Sequence, residues 1–536
     1  MKKLKLVCVA IAMASAAPTF AGGLLTNTNQ HVAFNRMMSR EASIGIDGVY
    51  YNPAGVVFMG DGHHLAINWQ LAYQTRTINN DYKLFTNNVN NPITPRDFKG
   101  KAFAPVIPSF QYAYNKGKWS FQANFSLTGG GGKCTFDNGL GSFEKIVSET
   151  AIAACGLAGV VDQTLGNTLG QQGMEMFTSD KAFGKTGKYS FNSYMHGRQY
   201  YYGLSVGAAY KFCDNFSAFL GVRGVYALTN YYGYVENINV GNMPLYKVLD
   251  PTKENAANIE LSCDQTGVGF TPIIGVDYKT GRWNFSAKYE FKTRIRLKNK
   301  SVNQTPSIGN LPANLANQMT GILTARYQQA GLPLEQAKQQ AENTTNTVLS
   351  DPKVGATMMG LKTQFDQKLN KAIGEYEDGK KIAGDIPGYL ALGIGYSPVD
   401  AVRVNVGFHW FDDKNATSYN NRQEKLKRGT LEYNAGVEVD VNKKITLSTG
   451  WQNTNYGLSD EYMDDKSFVV SSNSAAIGGV YHINKKMDLN VAYFHTFYQH
   501  KKTSETVQLA ADKSVVYNSD YTRNNNVFAV GLDINF

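Results

Sequence analysis

Few residues in this chain have the types and spacing that covalent chemistry needs. His409 and His495 have serines nearby, the raw material of a hydrolytic site, but neither a glycine-flanked serine elbow nor a residue set to orient a histidine goes with them. No histidine or cysteine spacing suits a metal. An enzyme is not expected, and neither is a cofactor or a metal. The basic residues say more. Arg223, Lys288, Lys292, Arg294, Arg296 and Arg403 fall, by alternation, on the polar side of apolar–polar runs. A buried arginine grips a carboxylate through two parallel hydrogen bonds. The partner is either a bound anion or one of Glu290, Glu432, Glu438 and Asp440, and the sequence leaves both open.

The elements that carry these residues are strands. Trp119, Phe121, Ala123, Phe125 and Leu127 alternate with Ser120, Gln122, Asn124, Ser126 and Thr128, which sets an apolar face against a purely polar one. The same period of two runs through Trp283, Phe285, Ala287, Tyr289 and Phe291, and again through the last residues to Phe536. About fourteen such segments can be counted, near 63–78, 108–114, 119–128, 199–212, 216–230, 268–279, 283–297, 389–398, 402–411, 430–441, 445–456, 468–483, 489–500 and 526–536. Segments of about ten residues match the length that crosses a bilayer when tilted. Short connections alternate with long ones, the longest at 129–198, 231–267 and 298–388. Alternating loop lengths of this kind point to an all-β fold: a transmembrane antiparallel β-barrel of about fourteen strands, with short periplasmic turns, long external loops and both termini periplasmic.

Composition agrees. Tyr 32, Phe 28 and Gly 52 against Pro 15 suit a barrel with aromatic girdles. The mean hydropathy of −0.33 is no objection, since alternating strands average out. Residues 1–21 carry Lys2, Lys3 and Lys5, an apolar run and small residues around Ala21, the pattern of a cleaved secretory signal peptide. The formal charge of +10 falls to about +7 without those lysines, and it is scattered, so no nucleic-acid face is expected. Residues 22–62 lack the period of two and are too few to fold alone, so they are expected as a plug inside something larger. They end in Tyr50-Tyr51-Asn52-Pro53-Ala54-Gly55, where Pro53 fixes its own φ and Gly55 is expected to take a backbone angle that other residues resist. Of Cys134, Cys155, Cys213 and Cys263, the first two share one external loop and are the expected disulfide, while Cys213 falls at the opposite rim.

These features together resemble the FadL family of outer-membrane transporters of long-chain fatty acids and hydrocarbons. Asn52, Pro53 and Ala54 match its Asn-Pro-Ala motif. Pro387 through Leu392, Gly393 and Tyr396 resemble its P-x-x-x-x-L-G-x-x-Y strand, and Gly478 through Tyr481 resembles its late G-x-x-Y. The resemblance implies a multi-pass barrel of the cell outer membrane with 22–62 as an N-terminal hatch in the lumen and 63–536 as the wall. It implies capture of a hydrophobic ligand, such as a long-chain fatty acid, at external loops, lumenal binding of its carboxylate, and hatch-linked lateral release. Expected partners are that ligand, outer-membrane lipid and lipopolysaccharide, and the outer-membrane assembly machinery. Arg223, Lys288, Lys292, Arg294 and Arg403 are the lumenal candidates. Leu315, Met319 and Ile322, with Leu361, Phe365 and Leu369, form helical stripes that would line the external groove. In the family a kink in the third strand opens the lateral gap. No glycine or proline interrupts 119–128 here, so that kink is not expected from these residues. The alternative reading is a general diffusion porin or an adhesin-type barrel.

Overall fold

The computed structural model describes residues 24–536 apart from 172, 307–309 and 511–512, without the side chains of 364, 368–372 and 510; the expected signal peptide lies outside that range. The wall is one closed antiparallel sheet of fourteen strands. They are β1 (Gly62–Tyr82), β2 (Arg96–Lys116), β3 (Trp119–Phe136), β4 (Tyr189–Lys211), β5 (Phe216–Val240), β6 (Ile259–Thr280), β7 (Trp283–Glu290 continued by Arg296–Gln304), β8 (Lys381–Ala383 continued by Tyr389–Val399), β9 (Val402–Phe411), β10 (Thr430–Asn442), β11 (Ile445–Asn455), β12 (Ser472–Asn484), β13 (Met487–Tyr498 continued by Lys501–Ala510) and β14 (Lys513–Asn535). β1 pairs with β14 from His64 opposite Asn535 to Tyr82 opposite Tyr517, which closes the ring and leaves no edge.

Every strand turns large apolar side chains outward, among them Trp69, Phe121, Leu204, Leu220, Phe270, Phe285, Leu392, Val406, Leu447, Ile477, Val491 and Phe528, all exposed. Ser120, Gln122, Asn124, Ser126 and Thr128 of β3 face inward and are buried. Apolar outside and polar inside reverses a water-soluble sheet and is the wall of an outer-membrane barrel. β4, β5 and β14 run well past the segments read from sequence, because their outer halves leave the bilayer and alternate by pairs such as Tyr194 with Tyr234, stacked at 5.8 Å.

The alternation is interrupted once in a way that matters. β7 breaks at 291–295, and its register against β6 slips from Ile273 opposite Glu290 to Thr266 opposite Lys298. A one-residue slip turns every later side chain to the other face. Thr293, Ile295 and Leu297 therefore point inward, while Arg294 and Arg296 stand on the outer face.

Residues 24–62 fill the lumen. They form α1 (Val32–Met37), α2 (Gly48–Tyr51) and a short 3-10 turn at Gly55–Met59. Outside the bilayer α3 (Gly141–Leu169), α4 (Tyr246–Leu249), α5 (Leu311–Gln329), α6 (Leu334–Leu349) and α7 (Pro352–Ile373) gather over the mouth. α3 has the length and composition of a membrane span. It packs instead on the loop core with Phe85, Phe136 and Tyr517. Ile274→Lys, at an exposed wall position of β6, is expected to cost about 2–4 kcal/mol in urea unfolding from vesicles. A cost within about 0.5 kcal/mol, the range of an ordinary surface change, would place that position outside the hydrocarbon.

Candidate functional site

The hatch is fixed to the wall by short polar contacts spread along its length. At the Asn-Pro-Ala corner, Asn52 Nδ2 donates to Asp277 Oδ2 at 2.6 Å, and Asn284 Nδ2 donates to the same oxygen at 2.8 Å. Gln122 Nε2 donates to the Pro53 carbonyl at 2.7 Å, Ser217 Oγ to that of Ala54 at 2.7 Å, and Asn115 Nδ2 to that of Val56 at 2.8 Å. Gly55 does not adopt a positive φ. Its role is space: a Cβ there would lie 2.4 Å from the Asn52 amide.

Buried charges hold the rest. Arg36 of α1 bonds Glu438 of β10, and its guanidinium also donates to Ser448 Oγ at 2.9 Å and Asn490 Oδ1 at 3.2 Å. Arg40 and Asp47 pair within the hatch at 2.6 and 3.1 Å. Glu41 meets His409 Nε2 at 2.8 Å, whose Nδ1 meets Glu432 at 2.9 Å. The wall makes room with glycine. A Cβ on Gly450 would sit 1.7 Å from the Met37 carbonyl, and one on Gly436 2.0 Å from the same oxygen. Those inward glycines were visible in the sequence, but which strand face they lined was not tied to the plug.

The basic residues read from sequence divide by this geometry. Arg223 makes a two-pronged bond to Glu290 at 2.6 and 2.8 Å, and Lys288 donates to Glu290 at 2.9 Å and to the Tyr50 carbonyl at 2.6 Å. Arg403 bonds Glu438 at 2.8 Å and Asp440 at 2.7 and 2.5 Å. Protein carboxylates thus occupy all three. Lys292 donates to the Asn415 carbonyl at 2.9 Å near the surface, and Arg294 faces outward for the register reason above. The five are not brought together.

Sequence reasoning missed a break in the wall. β2 and β3 pair from Gly100 opposite Phe136 to Phe103 opposite Lys133, then again only from Phe110 opposite Phe125. Between these blocks β2 carries Pro105 and Pro108, which have no N–H to give. β3 carries Gly129 to Gly132, with φ of 69° at Gly130 and 123° at Gly131. β3 continues past Thr128, where strict alternation ends, and its register against β4 shifts twice in that added stretch, between Leu127 and Gly129 and between Gly130 and Gly132. Four successive glycines facing two prolines were the signal for it. On the lumenal side lies an apolar cluster of Phe34, Met38, Tyr51, Ile107, Leu127 and Phe494.

Toward the cell exterior the lumen opens into a cavity of about 720 Å³, lined by Tyr201, Leu297, Tyr376, Glu375, Lys466 and Arg523 among others. Burial pushes the Glu375 carboxyl up to about 7 against the pull of Lys466. Burial likewise pushes Lys466 down to about 8, opposed by Asp464 and Glu375. Lys466 Nζ and Glu375 Oε1 have no hydrogen-bond partner. Below them Arg76 of β1, 1% exposed, stands directly opposite Arg523 of β14. Its Nε donates to Gln74 Oε1 at 3.0 Å and its Nη2 has no partner.

The external helices form an apolar cleft in which Leu315 of α5 and Leu361 and Phe365 of α7 meet Leu157 and Val161 of α3. About 50 Å³ is open there, room for only a few waters. Met319 is fully buried in the loop core, Ile322 is 45% exposed and turned away, and the side chain of Leu369 lies outside the described residues. The expected disulfide is absent: Cys134 and Cys155 are both free. Cys134 is buried in the loop core from β3, whereas the Cys155 thiol of α3 donates to the Phe183 carbonyl at 3.4 Å.

A FadL homologue from Pseudomonas aeruginosa superposes with a TM-score of 0.57 over 96% of this chain and 100% of its own, at 13% identity. The chain has the FadL fold. The toluene transporters TodX of P. putida (TM-score 0.47, 12% identity, 92% of this chain and 94% of that one) and TbuX of Ralstonia pickettii (0.45, 13%, 92% and 94%) align more loosely. No protein-family model and no curated protein matches the sequence.

Gly450→Ala tests the bed on which the hatch rests. The added methyl is expected to cost about 1–3 kcal/mol as overpacking and to raise ion conductance in planar bilayers, with the barrel still resisting unfolding in unheated gel samples. Wild-type conductance would mean that the hatch seals the lumen without that close fit.

Proposed function

We propose that this FadL-fold barrel carries hydrophobic small molecules, and long-chain fatty acids in particular, inward across the outer membrane. The observation that carries the proposal is the break between β2 and β3 beside an apolar lumenal cluster. A general porin needs neither. An apolar tail held beside Phe34, Ile107, Leu127 and Phe494 would lie next to the stretch where β2 and β3 are not paired, and parting the strands there would let it leave sideways into lipid without crossing water.

The case for an acid rather than a neutral hydrocarbon rests on the inward ladder of β1 and β14. Ala72, Gln74 and Arg76 on one strand face Val527, Asn525 and Arg523 on the other. Polarity rises along it from the apolar cluster to two arginines at the base of the external cavity. Arg76 is in no ion pair among the described residues, unlike Arg223, Lys288 and Arg403, so its free Nη2 suits a carboxylate head with the tail pointing to the gap. The external helices and their narrow cleft would be the capture surface, which requires α3, α5 and α7 to part.

Mild detergent extraction followed by mass spectrometry is expected to find a bound long-chain acid, and a deletion strain is expected to lose uptake. No bound amphiphile together with normal uptake would overturn the proposal. Gly130→Val with Gly131→Val, at positive-φ positions where the Gly130 Cβ already meets the Gln199 carbonyl at 2.4 Å, should disturb the kink. Uptake is expected to fall at least about tenfold, with oleate binding retained.

The cavity charges give a pH dependence. Between pH 6 and 9 Glu375 ionises through about 7 and Lys466 loses its proton through about 8, after Asp413 has ionised through about 6. Each step makes the cavity more negative; Asp464, Asp465, Glu505, Lys145, Arg422 and Arg523 are among the other charged groups lining it. Oleate affinity is therefore expected to fall with rising pH over that window, by roughly tenfold. Lys466→Met should flatten the upper step and Glu375→Gln the lower; a parallel fall in both variants would place the titrating group elsewhere.

A further inference from the structure

The outer face of β7 carries a ladder of cations at a particular height on the wall. Arg294, Arg296, Lys298 and Lys300 are all exposed and recur at every second residue, so they share one face and stand about 6.6 Å apart along the strand. Lys381 of β8 is exposed directly opposite Lys298. Inward of them, Leu297 and Asn299 are buried. The ladder is thus outside the barrel and separate from the cavity.

Its height follows from the neighbouring strand. Arg294 and Arg296 lie beside Gly269 and Gly267 of β6, level with Phe270 and Val268, which are 70% and 64% exposed at the top of the apolar wall. Lys298 and Lys300 continue above, opposite Thr266 and Asp264. The strand then leads into the long external loop, so this is the outer-leaflet boundary.

Like charges directly opposite on paired strands repel. The compensation within the protein is thin. Arg296 bonds Asp385 at 2.8 Å. Asp264 accepts from Asn230, Asp378 from the Ser301 amide, and Glu377 pairs with Lys380. Arg294, Lys298, Lys300 and Lys381 are in no ion pair among the described residues. Long basic side chains at the edge of an apolar band place their heads at the interface, where the anionic groups of the lipid lie.

We propose that this ladder binds the phosphate groups of a phosphorylated glycolipid in the outer leaflet, with its acyl chains against Val268, Phe270 and Phe291. Lipid phosphate satisfies both the charge and the apolar wall immediately beneath it, whereas a soluble anion satisfies only the charge. The site concerns the wall and not the lumen, so it stands whether or not the transport reading does.

The test uses the full-length mature protein in dodecyl maltoside micelles with fluorescent lipid A as probe. The variant Arg294→Gln/Lys298→Gln/Lys300→Gln/Lys381→Gln is expected to bind at least tenfold more weakly. Lys443→Gln/Lys444→Gln, in a periplasmic turn, should bind as wild type. The wild-type protein should lose binding to a similar degree when lipid A is replaced by its phosphate-free form, an arm that needs no variant to fold. The proposal is overturned if phosphate-free lipid binds equally well, if the folded quadruple variant keeps wild-type affinity, or if millimolar inorganic phosphate displaces the lipid, which would mark a general anion site.

Discussion

A sheet in hydrocarbon has to pair every backbone N–H and C=O, because no water is there to do so. The ring closed by β1 and β14 meets that demand over most of its circumference; the ladder lapses beside 291–295 of β7 and, next to the hatch, between β2 and β3. There the chain meets it by other means. Pro105 and Pro108 bring no donor, and the Pro105 carbonyl accepts from Trp69 Nε1 at 2.9 Å. On β3 the hatch supplies the partners: Asn27 N donates to the Thr128 carbonyl at 2.9 Å, Asn27 Nδ2 to Leu127 and Gly130 at 3.2 and 2.8 Å, and Gln30 Nε2 to Leu127 at 2.9 Å. The plug is therefore also a strand partner where the β2–β3 ladder lapses, and wall and plug share one set of bonds.

That sharing explains where the hatch is rigid. Its charged side chains meet opposite charges on β9 and β10 or within the hatch itself, and breaking one partner of a buried pair leaves the other uncompensated. Glycine on the facing strands brings the Met37 backbone against the wall. The Asn52 corner is held from β2, β3, β5 and β6 at once. By contrast, the contacts at 26–30 are neutral hydrogen bonds, each worth about 1 kcal/mol. If the proposed lateral release operates, the motion it needs costs least at that N-terminal end, with the Asn-Pro-Ala corner as its fixed end.

The strand pattern was legible because a lipid-facing wall imposes its period on each strand separately. Segments such as 402–411 coincide with their strands, and short connections alternate with long ones around the barrel. What failed to show was long-range. Arg294 was placed inward by continuing the alternation of Lys288 through 291–295, since a register slip is a property of two strands and leaves no mark in one. The kink in β3 was missed because the run of alternation ended at Thr128 and the following glycines read as loop. The pairing of Cys134 with Cys155 rested on their sharing a loop, whereas their positions are set by packing of α3 on the loop core. Arg76 was not singled out, because its significance lies in which arginines lack a carboxylate, and that requires the partners of all of them.

The same comparison bears on direction. Arg223, Lys288 and Arg403 sit deeper, against the hatch, and are neutralised by protein carboxylates. Arg76, whose Nη2 donors have no partner, is nearer the external cavity than the hatch bed. On the proposed reading, an entering carboxylate that displaced Glu290 from Arg223 would leave that buried carboxylate with Lys288 as its one remaining cation, an unfavourable exchange. On that reading an acid would stop at the level of Arg76, and the filled pairs below would oppose its passage straight down the lumen.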